Sequence, residues 1–334
     1  MTKYIIRRVL ALIPVLFGIS ILVFSLLRLI PGDPVLVMLG DRARVEDVEK
    51  VREELGLNRP LHIQYLEYMR RLLRGDMGRS MASHVQVSWE LLRRLPATIE
   101  MVVFAMLIGV TIGVSIGIIS AVRRNSIFDV LGMIGALLGV SMPIYWLALM
   151  LIYALAVNRS ILPPSARLDV ELEVNRRTGF MLLDTLLMGD SQLFLNAVWH
   201  LILPSFVLST TIMPILARMT RSSMLEVLRQ DYVRTAWAKG LRERVVIIRH
   251  ALKNALLPVV TIVGLQLGGL LGGAILTETV FSWPGMGTWT YHAILWRDYP
   301  IVQGSVLLSA SIYVFMNLFV DISYAFLDPR IRYR

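Results

Sequence analysis

Met101-Val-Val-Phe-Ala-Met-Leu-Ile-Gly-Val-Thr-Ile-Gly-Val-Ser-Ile-Gly-Ile-Ile-Ser-Ala-Val122 runs for 22 residues without a charge, between Glu100 and Arg123. A helix rises about 1.5 Å per residue and the apolar core of a bilayer is about 30 Å thick, so roughly 20 such residues cross it. Five further runs meet that requirement: Val9–Leu27, Val130–Asn158, Ser191–Ala217 (which holds His200), Asn254–Thr277 and Tyr299–Val320. The expected fold class is therefore an all-α integral membrane protein with six transmembrane helices. Apolar residues make up 56% of the 334, more than one soluble core of this size hides. The surplus must face lipid or partner subunits.

The formal net charge is +10, yet only four of the 34 basic residues are Lys, and the excess is localised. It lies at the N-terminus (Lys3, Arg7, Arg8), in the 121–129 loop (Arg123, Arg124), in residues 219–255 and at the C-terminus. Residues 219–255 hold eight basic groups against three acidic ones. That pattern marks the cytoplasmic side of a membrane protein and argues against nucleic acid as a partner. Both termini are expected to be cytoplasmic. The segment 31–97 has eleven basic and ten acidic residues, and is too long to obey the charge rule. There is no cysteine, so neither a disulfide framework nor a thiolate metal site is expected. The five histidines show no paired metal spacing.

The first span has a basic start like a signal peptide, but its apolar stretch is too long and no small-residue cleavage site follows. It is expected to be a retained helix over residues 1–30. Residues 31–97 form an external segment. They open on the breaker Ile30-Pro-Gly-Asp-Pro34, reach a helix stop at Leu55-Gly-Leu-Asn-Arg-Pro60, and regain helical periodicity from Tyr65 to Leu73. Residues 98–334 form a five-helix core, with an irregular external loop at 159–190 and a cytoplasmic loop at 219–255.

The most informative part of that loop is Asp231-Tyr-Val-Arg-Thr-Ala-Trp-Ala-Lys-Gly-Leu241, followed by Arg249-His-Ala-Leu-Lys-Asn-Ala-Leu-Leu-Pro258. Asp231 can cap a short helix, and Thr235, Ala236 and Ala238 offer one small-residue surface. Gly240 permits a sharp turn, and Pro258 falls in the first turns of the next span. Either a rigid elbow that meets another body or an amphipathic connector on lipid headgroups would produce this pattern.

Thr235-Ala236-x-x-x-Gly240 with Leu257-Pro258 resembles the EAA loop of ABC importer permeases. Arg234 stands where that motif has Glu, and the interval to Pro258 is longer. Both departures are similar to the dipeptide/oligopeptide/nickel branch. Tyr4–Pro34 resembles the first span of its B-type permease. Ala217-Arg-Met-Thr-Arg-Ser-Ser-Met-Leu-Glu-Val-Leu, Leu276-Thr-Glu-Thr-Val-Phe-Ser-Trp-Pro-Gly-Met-Gly and Leu327-Asp-Pro-Arg-Ile-Arg fit the same branch.

The resemblance implies the type I importer fold in the inner membrane, with Asp231, Arg234, Thr235, Ala236, Lys239, Gly240 and Leu241 docking on an ATPase subunit. It also implies a second permease subunit of C-type, two ABC ATPase subunits carrying ATP and Mg, and an extracytoplasmic substrate-binding protein. Peptides are the implied substrate, with nickel chelates and sugars as alternatives. No Gly-Lys dipeptide occurs, so the chain has no phosphate-gripping P-loop and no cofactor of its own is expected. A self-sufficient secondary transporter is the rival, but the span middles lack Asp, Glu, Lys and Arg.

Small residues four apart let helices approach in lipid. Gly109, Gly113 and Gly117 do so on the second span, and Gly264, Gly268 and Gly272 with Gly269 and Gly273 on the fifth. These serve packing within the subunit or, on the fifth span, face the pathway or partner permease. Glu278 is the candidate outward gate, expected near the interface and partly solvated. Asp321 is expected near the inward end of the sixth span.

Overall fold

The computed structural model describes residues 2–29, 33–40 and 43–327. The Ile30-Pro-Gly part of the breaker, the side chain of Asp321 and the tail from Asp328 lie outside the described residues. The chain forms two compact units, residues 1–98 with 284–334, and residues 99–283.

In the first unit α1 (Thr2–Leu29) packs along α16 (Tyr299–Leu327). Val23 and Leu27 of α1 share a core with Val87 and Leu91, which open α5 (Val87–Val122), and with Tyr299, Ile301 and Val302. Gly304 is needed there, because a Cβ would lie 2.8 Å from Val87 Cγ1. Between α1 and α5 come α2 (Pro34–Leu39), α3 (Val45–Glu54) and α4 (Leu61–Leu72). The helix stop expected after Leu55 is present. Gly56 takes φ +68°, and the amides of Gly56 and Leu57 donate to the carbonyls of Glu53 and Arg52. Tyr65 seats α4 on α1 through a 2.8 Å hydrogen bond with Ser20 and edge contacts to Phe17 and Phe24.

In the second unit follow α6 (Ile127–Ser141), α7 (Ile144–Leu151) with a π-helical turn over Ile152–Val157, α8 (Met181–Met188), α9 (Ser191–Ser209) and α10 (Met213–Val227). After them come α11 (Asp231–Ala238), α12 (Glu243–Val245), a π turn over Val246–Leu252, α13 (Lys253–Gly273) and α14 (Ile275–Val280). The last described helix besides α16 is α15 (Met286–Leu295), which belongs to the first unit.

Among the described residues five helices are long and apolar enough to cross a membrane, or six if one bent pair is a single span. That pair covers the expected span over Val130–Asn158 and breaks it in two. Helix Ile127–Ser141 meets Ile144–Val157 at 103°. The cause is local: Pro143 forces its predecessor out of the helical region, and Met142 takes ψ 132°. The fifth span also differs from expectation, because the helix already runs from Glu243. Pro258 thus lies inside a continuous span, not in its opening turns.

The loop at 159–190 is irregular apart from α8, as expected, and is held by a buried ion pair. Arg167 Nη2 donates to Glu100 Oε2 at 2.5 Å, and Glu100 also accepts from the amides of Met181 and Leu182. Burial pulls the Arg167 guanidinium below its usual pKa, and Glu100 opposes that shift. Asp184 accepts from Thr178 N and Oγ1 at 2.8 Å and from Gly179 N at 3.0 Å. Burial raises its carboxyl pKa, but these donors outweigh it and leave the group below the usual range.

Candidate coupling site

The helix α11 is seated by one face. Val233 and Ala236 are buried against Val246, with Val227 and Leu228 beside them. Spacing of three along a helix puts positions 233 and 236 on the same side. Asp231, Arg234, Thr235, Lys239, Gly240 and Leu241 are exposed, as are Tyr232, Trp237 and Ala238. The geometry therefore corrects one expectation. Ala236 does not share an open small-residue surface with Thr235 and Ala238. It is a seat, and its small size lets α11 lie close on the π turn that opens the fifth span.

The ends of α11 are also defined. The N-cap position is Gln230, which makes no side-chain cap bond, and Asp231 lies in the first turn instead of capping it. Its carboxylate sits 3.6 Å from Arg234, with both side chains in the open. At the other end Gly240 has φ +72°. The amide of Gly240 donates to the Trp237 carbonyl at 2.9 Å, and that of Leu241 to Ala236 at 3.4 Å. These two bonds close the helix in the arrangement that a left-handed glycine permits. Asn254 Nδ2 donates to Tyr232 Oη at 2.7 Å, tying α13 to α11.

A second link was not anticipated from the sequence. Arg221 on α10 forks onto Asp129 at the start of α6, Nε to Oδ1 and Nη2 to Oδ2, both at 2.7 Å. Asp129 also accepts from Asn125 N, and Ser126 Oγ accepts from Asp129 N. The signal was available as Ser126-x-x-Asp129 before an apolar run, a helix-start signature. Its partner was not available, because nothing local relates positions 129 and 221. Met224, one turn beyond Arg221, is buried with Ala121, Ala251 and Ala255. The end of α5, the end of α10 and the start of the fifth span are thus packed together beside α11.

Two family descriptions match the sequence. The binding-protein-dependent transport system inner membrane component covers residues 113–333, and the N-terminal part of such membrane components covers residues 1–102. The chain belongs to this family. It is similar along its whole length to the dipeptide transport system permease protein of Alkalihalophilus pseudofirmus, 50% identical with all of both chains covered. It is also 50% identical to a di/tripeptide permease of Pseudomonas aeruginosa, again over both chains in full. A glutathione transport system permease of Salmonella paratyphi A is 39% identical over both full lengths.

In this inner-membrane permease the glycine run of α5 and Gly269 of α13 have different surroundings. On α5, a Cβ at Gly113 would lie 2.7 Å from the Met213 carbonyl, and one at Gly117 2.5 Å from Thr220 Cβ. That run serves close packing of α5 on α10. On α13, a Cβ at Gly269 would meet nothing within 4 Å. Glu278 corrects another expectation, because the permease buries it completely instead of leaving it partly solvated. Phe281 and Trp283, both 1% exposed, follow it directly, and the amide of Ala166 donates to the Phe281 carbonyl at 3.0 Å. His200 is hydrogen-bonded through Nδ1 to the Asn196 carbonyl at 3.0 Å.

Proposed function

We propose that this permease forms half of the translocation pathway of an ATP-driven ABC importer for di- or oligopeptides, and that α11 is its contact with an ATPase subunit. Both termini and residues 219–255 then lie on the cytoplasmic side. A binding protein delivers peptide to the segments 31–97, 159–190 and 282–301. The pathway is completed by a second, C-type permease, and ATP with Mg is held by two partner ATPase subunits.

The observation that carries the reading is the mounting of α11. One face is anchored on the helix that continues into the fifth span, and the other face is free. A push on an exposed residue such as Thr235 or Ala238 is therefore delivered to packed groups (Val233, Ala236, Val246), not to a pliable loop. Closely packed groups transmit displacement because they have few alternative arrangements. Peptide as cargo is supported by the names of the full-length relatives. The broken helix at Met142–Pro143 is a feature that secondary transporters also use, and it keeps that class as the alternative.

The test is peptide-stimulated ATP hydrolysis by the complete transporter with its binding protein in lipid nanodiscs. Thr235→Trp and Ala238→Trp change only the exposed face, so both variants should insert and lose stimulation. Undiminished stimulation in both would overturn the role given to α11. Peptide uptake by the purified chain alone, with no ATPase present, would overturn the importer reading.

A further inference from the structure

The first unit holds a half-open cavity of about 580 Å³. That is within the roughly 300–1,000 Å³ range typical of small-molecule sites. Its wall holds three arginines, Arg28, Arg71 and Arg79, against one carboxylate, Asp76, with Leu57 and Met81 as apolar lining.

The arginines are not equivalent. Arg28 is committed, donating to Gln64 Oε1 and to the Phe24 carbonyl while it lies 3.4 Å over the Phe24 ring. Arg71 and Arg79 are exposed, and no ion pair is formed by either among the described residues. The backbone on either side of Arg79 is nonetheless held in place. The carbonyl of Gly78, before it, accepts from Val87 N at 3.0 Å. The hydroxyl of Ser80, after it, donates to the buried Asp298 at 2.6 Å. Asp76 accepts from Gly78 N at 2.9 Å through Oδ1, which fixes its carboxylate in the same turn. Gln303 also lines the cavity, and its side-chain nitrogen makes no hydrogen bond among the described residues.

Cations around a pocket, with one carboxylate fixed among them, match a zwitterion better than a simple anion. We propose that this cavity binds the charged termini of the peptide cargo. Arg71 and Arg79 take the α-carboxylate and Asp76 takes the α-ammonium. Arginine suits the first role because its planar fork matches a carboxylate. The site lies on the permease itself, in its first unit. This inference rests on the peptide assignment made above.

The experiment uses the complete transporter in nanodiscs without its binding protein, and radiolabelled dialanine as the probe. Saturable binding is expected, about tenfold weaker in Arg79→Gln, the loss expected for one charge-assisted contact. Arg79→Lys, which keeps the charge, should recover part of it. Dialanine amide and N-acetyl-dialanine should compete poorly. Unchanged binding in Arg79→Gln overturns the proposal. Equal competition by inorganic phosphate, or loss of binding when phosphatidylglycerol is added to neutral nanodiscs, also overturns it and points to an oxyanion or a lipid headgroup. Peptide-stimulated ATP hydrolysis, measured with the binding protein present, separates the two levels. Stimulation without direct dialanine binding removes this site and leaves peptide import standing. No stimulation in the intact complex removes the import reading itself.

Discussion

Arg221 and Asp129 face each other through two parallel 2.7 Å hydrogen bonds, although 92 residues separate them in the chain. The carboxylate is 6% exposed and the guanidinium 29%, so the pair is buried at one end and wet at the other. Removing one partner of a well-buried pair costs about 3–5 kcal/mol, and solvent at Arg221 should bring the cost to the lower part of that range. Arg221→Ala should therefore lower the melting temperature and release the 121–129 turn to proteolysis. Arg221→Lys keeps the charge but not the fork, and should fall between that variant and the wild type. Equal melting of all three would show that the pair contributes nothing.

Gly117 and Gly269 should respond oppositely. Gly117→Ala drives a methyl group to 2.5 Å from Thr220 Cβ and 2.6 Å from the Ala217 carbonyl, so α5 and α10 must part. An overpacking cost of about 1–3 kcal/mol is expected, read as a drop in melting temperature. Gly269→Ala enters open space and should leave stability unchanged or raise it by about 0.5–1 kcal/mol. If uptake by the complex falls in Gly269→Ala while melting does not, that face of α13 serves the pathway or partner permease. Unchanged uptake assigns it to neither.

Gly240 is a conformational requirement with free space around it. At φ +72° a side chain is strained by about 1–2 kcal/mol even where nothing blocks it. Gly240→Asn should be tolerated, because Asn visits this region readily, whereas Gly240→Val should distort the end of α11. The readout is peptide-stimulated ATP hydrolysis, kept in the first variant and lost in the second. The reverse order would mean that the turn is not what couples.

Asp184 predicts a pH dependence. Its native pKa lies below the usual value because Thr178 and Gly179 donate to the charged form. A depressed native pKa contributes stability that is complete above about pH 4 and is lost as pH falls through the native value. Asp184→Asn should thus destabilise the 159–190 loop at pH 7, and the deficit should shrink toward pH 3. Melting followed by tryptophan fluorescence at both values checks it, and a pH-independent deficit would contradict the linkage.

How far the sequence could be taken depends on the range of the interaction. The turn after Leu55 was legible because a Gly between two helical patterns needs only its own backbone freedom. The bend at Met142–Pro143 was partly legible, since proline restricts its predecessor, but its 103° angle was not. The roles inside α11 were misjudged at Ala236. Composition marks a residue as small, and does not say whether it is small to admit a partner or to let its own helix settle.

By itself the sequence determined that the chain is built of apolar helices of membrane length, that it contains no Gly-Lys dipeptide, and where the turn at Gly240 falls. Each follows from an energy that is local: apolar length against bilayer thickness, or a backbone shape that only Gly or Pro supplies. The tertiary structure alone decided which face of α11 is anchored, which carboxylate Arg221 and Arg167 meet, and that Glu278 is enclosed. The two ion pairs join groups 67 and 92 residues apart, and the burial of Ala236 and Glu278 is likewise set by packing, which no periodicity along the chain encodes.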